Sequence, residues 1–151
     1  YLITKEENYR NIAEVSFDFL LAHYFMKGQI KVISNRGWFK KKNERNFYGE
    51  QPIEVSTTII ALDLFYKVTL KTKYRDQLEQ AFSWFSGNNH LKQIMYNPEN
   101  GASYDGLEDT HININQGAES SLCFIKAQII MEGYSKEASI YENKKAPQEV
   151  E

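Results

Sequence analysis

Apolar residues recur at helical spacing over four stretches of this chain. Between Glu6 and Lys27, Ile12, Val15, Phe19 and Ala22 fall on one stripe. Phe17, Leu20, Leu21, Tyr24 and Phe25 widen it almost to the full circumference, the pattern of a helix with neighbours on several sides. Gly28 supplies a stop. Lys31–Ser34 and Trp38–Phe39 flank Asn35-Arg36-Gly37 and predict a short hairpin or ordered loop, while the run Lys40–Arg45 reads as a solvated loop. Pro52 opens a second helix, with Glu54 complementing its positive end and Ile53, Thr57, Ile60, Leu64 and Val68 as its stripe. The β-branched residues between Val55 and Ile60 are poor helix formers, so burial must sustain it. A turn at Thr72–Arg75 leads to a third helix with Tyr74, Leu78, Ala81, Phe82 and Phe85 on one face, ending at Gly87. So short a connection requires antiparallel packing.

From Asn88 to Gln116 the periodicity disappears, but Leu91, Ile94, Met95, Tyr96, Tyr104, Leu107, Ile112 and Ile114 predict an ordered loop rather than a floppy one. A fourth helix starts near Asn115, which can cap it, and carries Ala118, Leu122, Ile125 and Ile129 as its inner stripe. The expected fold class is all-α: antiparallel α-hairpins over residues 1–135 with a long ordered loop, then a flexible tail over 136–151.

Composition narrows the function classes. With 18 Lys+Arg against 20 Asp+Glu, the net charge of −2 gives no basis for a nucleic-acid or polybasic membrane binder. No apolar run approaches the ~20 residues of a bilayer-spanning helix. Cys123 stands alone, so neither an intrachain disulfide nor a multi-cysteine zinc site is available. A cytoplasmic setting is expected, and the start at Tyr1 is expected to mark a piece of something longer.

Candidate chemistry is sparse. His23, His90 and His111 show no two-ligand metal spacing, and no cofactor is expected. Gly101-Ala-Ser103-Tyr-Asp105 lacks the second glycine of a nucleophile elbow, and no phosphate-cradling glycine motif is present. Three strings remain: Tyr48–Pro52, Gly101–Leu107 and Asn113–Ser120. If the second and fourth helices start at the same end of a bundle, these strings share a rim. Tyr48, Glu50, Gln51, Tyr104, Asp105, Asn113, Asn115 and Glu119, with Trp38, would there offer aromatic faces, carboxylates and amides to a sugar. Capping of helix ends accounts for the same residue types one by one.

The ordered strings Gly49-Glu-Gln-Pro-Ile-Glu54, Ala81–Leu91, Tyr96–Leu107 and Asn113-Ile-Asn-Gln-Gly-Ala-Glu-Ser-Ser-Leu122 resemble the C-terminal helical region of bacterial and archaeal glycosyltransferase-like proteins. The resemblance covers roughly residues 29–133, with Ser121 and Cys123 where threonine and alanine are expected. It implies part of an α/α toroid, an accessory domain contributing acceptor binding or interdomain contacts, and an upstream glycosyltransferase module as partner. That module is not in this chain, and no catalytic residue carries over. An incomplete toroid would leave an apolar flank suited to self-association. The competing expectation is a glycosidase or sugar epimerase on the same architecture, using Glu50, Asp105 and Glu119.

Overall fold

The computed structural model describes residues 1–37, 39, 40 and 44–145, those from 137 onward by backbone alone. Trp38 and residues 41–43 of the basic run lie outside the described residues, as does the tail from 146. Four helices dominate: α1 (Glu7–Tyr24), α2 (Pro52–Thr69), α3 (Thr72–Phe82) and α4 (Ala118–Lys145). Two antiparallel two-stranded ribbons accompany them, β1 (Phe25–Met26) with β2 (Gln29–Ile30) and β3 (Gly106–Leu107) with β4 (Ile112–Asn113).

The fold is thus mainly helical, as the periodicity predicts, with several boundaries displaced. The α2–α3 connection is Leu70–Lys71, where Leu70 adopts a left-handed φ of 57° and its N–H caps the Tyr66 carbonyl; Thr72–Arg75 already belongs to α3. The first ribbon turns at Lys27–Gly28, both with positive φ, so the glycine that marks the helix end also makes a hairpin earlier than Asn35–Gly37. The expected tail from residue 136 is helical to Lys145. Arg45 is not solvated. Half-buried, its guanidinium donates to the carbonyls of His23, Lys31 and Val32, satisfying an oxygen at the end of α1 that has no intrahelical partner.

Helix directions follow from contacts. Glu14 meets Lys71 and Tyr74, and Asp18 meets Lys73 and Tyr74, so α1 and α3 run parallel. Ser56 donates to the Cys123 carbonyl at 2.8 Å and Tyr134 donates to Asp63 at 2.7 Å, so α2 and α4 also run parallel. α2 and α3 form the antiparallel hairpin and share the largest helix contact. The core between them holds Val55, Ile59, Leu62, Tyr74, Leu78, Trp84 and Phe85, all fully buried, with Phe124 and Ala127 from α4. Each such large side chain contributes about 1.5–3 kcal/mol through removal from water.

Three expected inner stripes are corrected. Ile12, Val15 and Phe19 on α1 are 58%, 72% and 69% exposed, while Phe17 stacks on Phe65 and Leu21 is buried. On α4, Leu122, Ile125 and Ile129 face outward and Phe124, Ala127 and Tyr134 face the core. On α2, Val55, Ile59 and Leu62 are buried and Leu64 is 47% exposed. The reason is common to all three: these helices are apolar on two sides, so spacing alone does not choose the core side.

Candidate functional site

Two helix starts build the rim. Pro52 occupies the first turn of α2, and the Glu54 carboxylate accepts the Gln51 backbone N–H at 2.9 Å. At α4, Gly117 stands at the cap, its carbonyl accepting the Ser121 N–H at 3.0 Å. Its own N–H donates to Asp105 Oδ1 at 2.8 Å, so the anchor of α4 is Asp105 and not Asn115. Because α2 and α4 are parallel, both starts lie at one end.

The strings between are stitched by backbone pairing. Glu50 bridges Leu107, with Glu50 N–H to Leu107 O at 3.0 Å and Leu107 N–H to Glu50 O at 2.8 Å. Gly106 pairs with Asn113, and the Asp105 N–H donates to the carbonyls of Asn113 and Asn115. Tyr48–Glu54, Asp105–Leu107 and Asn113–Glu119 therefore meet. Gly49, at φ +89°, has no room for a side chain; a Cβ there would lie 2.8 Å from Asn35 Oδ1.

The residues so gathered differ in availability. Glu50 is 1% exposed and fully engaged: Lys31 pairs with Oε1, and the Trp84 indole donates to Oε2 at 3.1 Å. Burial pushes its carboxyl above the ordinary range, against the pull of Lys31, His90 and Trp84. His90 Nδ1 lies 3.2 Å from Lys31 Nζ and 3.7 Å from Glu50. His90 Nε2 faces the carbonyls of Glu108 and Asp109 at 2.9 and 3.1 Å, which assigns its proton to Nε2 in the neutral ring. Sequence alone brings up His90 only as a metal ligand, on which the spacing decides against it, and does not point to Lys31 or Trp84. Lys31, Trp84 and His90 lie 19, 34 and 40 positions from Glu50, with no local motif to announce them.

Asp105 is committed to the α4 cap, and Asn113 Oδ1 accepts the Asn115 N–H at 3.2 Å in a local turn. Gln51 and Tyr104 are half-buried at the inner margin. Asn115 and Glu119 are exposed, and among the described residues no hydrogen-bond partner holds either side chain. Tyr48 is 38% exposed, its ring leaning on His90 with centroids 5.2 Å apart. Glu54, half-buried, is pushed upward by burial, with the charges of Glu50 and Glu119 adding to the shift. Of the three carboxylates considered for acid–base chemistry, Glu50 and Asp105 are occupied by donors and Glu119 alone is open. Among the described residues no group of three or more His, Cys, Asp or Glu side chains is arranged to hold a metal ion, and no helix is long and apolar enough to cross a membrane.

No known family model matches this chain, and no curated protein matches it.

Proposed function

We propose that this chain is a helical accessory module of a glycosyltransferase-like protein, and that its rim binds the carbohydrate acceptor. The observation that carries the reading is the meeting of three distant polar strings at the shared start of α2 and α4, with Glu119, Asn115 and Tyr48 left open there. A carboxylate accepts two sugar hydroxyls, an amide both donates and accepts, and an exposed phenol ring offers a flat apolar face. The alternation of α1 with α2 and α3 with α4, each pair of like members parallel, is the arrangement a partial α/α toroid requires. The donor-binding glycosyltransferase module is the partner this reading assigns, supplied elsewhere in the parent protein.

The reading favours binding over hydrolysis by this segment, since an acid–base pair needs two carboxyl groups facing a common cleft. Its test is titration of the chain with neutral hexose oligosaccharides, followed by backbone NMR shifts. Residues 113–119 and Tyr48 should move on addition of sugar. Glu119→Gln and Tyr48→Ala should each weaken binding by about fivefold, the worth of one hydrogen bond or contact of ~1 kcal/mol. Shifts confined to other surfaces, or variants that bind as the parent does, overturn the proposal.

A further inference from the structure

The neighbours of His90 fix its protonation state. Its Nε2 faces the carbonyls of Glu108 and Asp109 at 2.9 and 3.1 Å, two acceptors that an N–H satisfies and a bare ring nitrogen does not. Its Nδ1 faces the Lys31 ammonium at 3.2 Å, a group that carries hydrogens and no lone pair. The ring is therefore neutral, with Nδ1 accepting from Lys31. A proton arriving at Nδ1 turns that acceptor into a donor aimed at a cation, in a half-buried place where water screens the repulsion poorly.

One atom offers relief. Glu50 Oε1 pairs with Lys31 and also lies 3.7 Å from His90 Nδ1, while Oε2 is taken by the Trp84 indole. A charged His90 and Lys31 therefore compete for the same oxygen. His90 is pinned at Nε2 to the turn between β3 and β4 and has no room to retreat. Lys31 has a flexible stem and an outlet beside Tyr48, whose exposed ring lies 5.2 Å from Lys31 Nζ and 5.2 Å from the His90 ring. The other charged or titratable groups around His90 are engaged elsewhere or open to water. On the turn, Glu108 pairs with Arg36, and Asp109 and His111 are exposed; on the loop of His90 itself, Lys92 is exposed.

We propose that His90 is a pH-operated switch: a proton taken up at Nδ1 transfers Glu50 Oε1 from Lys31 to His90 and releases the Lys31 ammonium toward solvent. One proton enters from water, and only hydrogen bonds change partners. Above the transition Lys31 bridges Glu50 and His90. Below it His90 bridges Glu50 and the β3–β4 turn, and Lys31 is free. Imidazole is the side chain whose ordinary titration falls between about pH 5 and 8, so the exchange belongs to that range. Tyr48 rests on both partners, so the setting of its ring follows the protonation state. The inference is independent of the carbohydrate reading.

The test is a nuclear magnetic resonance titration of the full chain from about pH 8 to 5. Ring nitrogen shifts of His90 should report a proton on Nε2 at the alkaline end and a charged ring at the acid end. The Trp84 indole N–H, which senses Glu50 through Oε2, should move with the same midpoint. Carbon relaxation at Lys31 Cε should pass from held to mobile across it. His90→Gln keeps a donor for the two carbonyls but takes up no proton, and should abolish the Trp84 and Lys31 transitions. His23→Gln and His111→Gln, at the two other histidines, should leave them in place. A neutral ring with its proton on Nδ1, a His90 that does not titrate in this range, or a Lys31 side chain whose mobility is unchanged overturns the proposal in the parent chain alone. So does a Trp84 transition that persists in His90→Gln, which assigns it to the Glu50 carboxyl instead.

Discussion

Removing the Glu50 carboxylate leaves the buried Trp84 indole without its acceptor and the Lys31 ammonium, 13% exposed, without its counter-charge and with His90 Nδ1 as its remaining acceptor. Breaking one side of a buried pair costs about 3–5 kcal/mol, whereas replacing both partners by apolar groups of similar volume is far milder. Glu50→Ala should accordingly lower the urea midpoint strongly, and Lys31→Met combined with Glu50→Leu should recover the part due to the unpaired ammonium but not the part due to the Trp84 indole, which loses its acceptor in both. Equal damage from the single and double variants would show that the pair is not what braces Tyr48–Glu54 against the β3–β4 ribbon. Gly117 poses a different constraint at the same rim. A Cβ there would fall 2.8 Å from Asp105 Oδ1, so Gly117→Ala must displace the carboxylate that caps α4. The loss should be about 1 kcal/mol, typical of a missing cap, and Asp105→Ala should cost a similar amount. Combined, the two should cost little more than either alone, a non-additivity that denaturant melts of the three variants would read.

Among the elements, the seam between α1 and α3 is the most charge-dependent. Lys71 and the Tyr74 hydroxyl hold Glu14 below the ordinary carboxylate range; at Asp18 burial pushes upward, but Lys73 and Tyr74 outweigh it. Burial and the two carboxylates raise the Tyr74 phenol, which stays protonated. Depressed carboxyls contribute stability that is complete above their unfolded pKa of ~4 and is lost as pH falls through their folded values. Glu50 and Glu54 have the opposite sign: raised by burial, they favour the folded state increasingly as pH falls through their folded values. Urea midpoints should therefore peak on the acidic side of neutrality and fall below pH ~4. Glu14→Gln should flatten the acid limb, and an unchanged limb would remove α1–α3 pairing as its cause. The same elements show what is legible in sequence. Pro52, the antiparallel α2–α3 hairpin and the polar strings at the starts of α2 and α4 stand where local chemistry places them, because capping and turn residues act over a few positions. The inward sides of α1, α2 and α4 do not, because Ile12-Val15-Phe19 and Leu122-Ile125-Ile129 mimic core stripes while facing out. Glu50's partners are illegible for another reason, being assembled only when the ribbon and the loop after α3 fold over it.

At the scale of the molecule, stability is distributed unevenly. The fully buried residues of α2 and α3 centre on Ile59, Leu62, Tyr74 and Leu78, whereas α1 contributes Leu21 alone to the buried set and is otherwise joined by the Phe17–Phe65 stack and the ion pairs of the seam. Local opening follows such differences, since an element with few buried apolar contacts detaches at a lower free energy than the core. In dilute solution, amide exchange should be fastest in α1, slowest in α2 and α3 around Ile59 and Leu78, and intermediate in α4 near Phe124 and Tyr134.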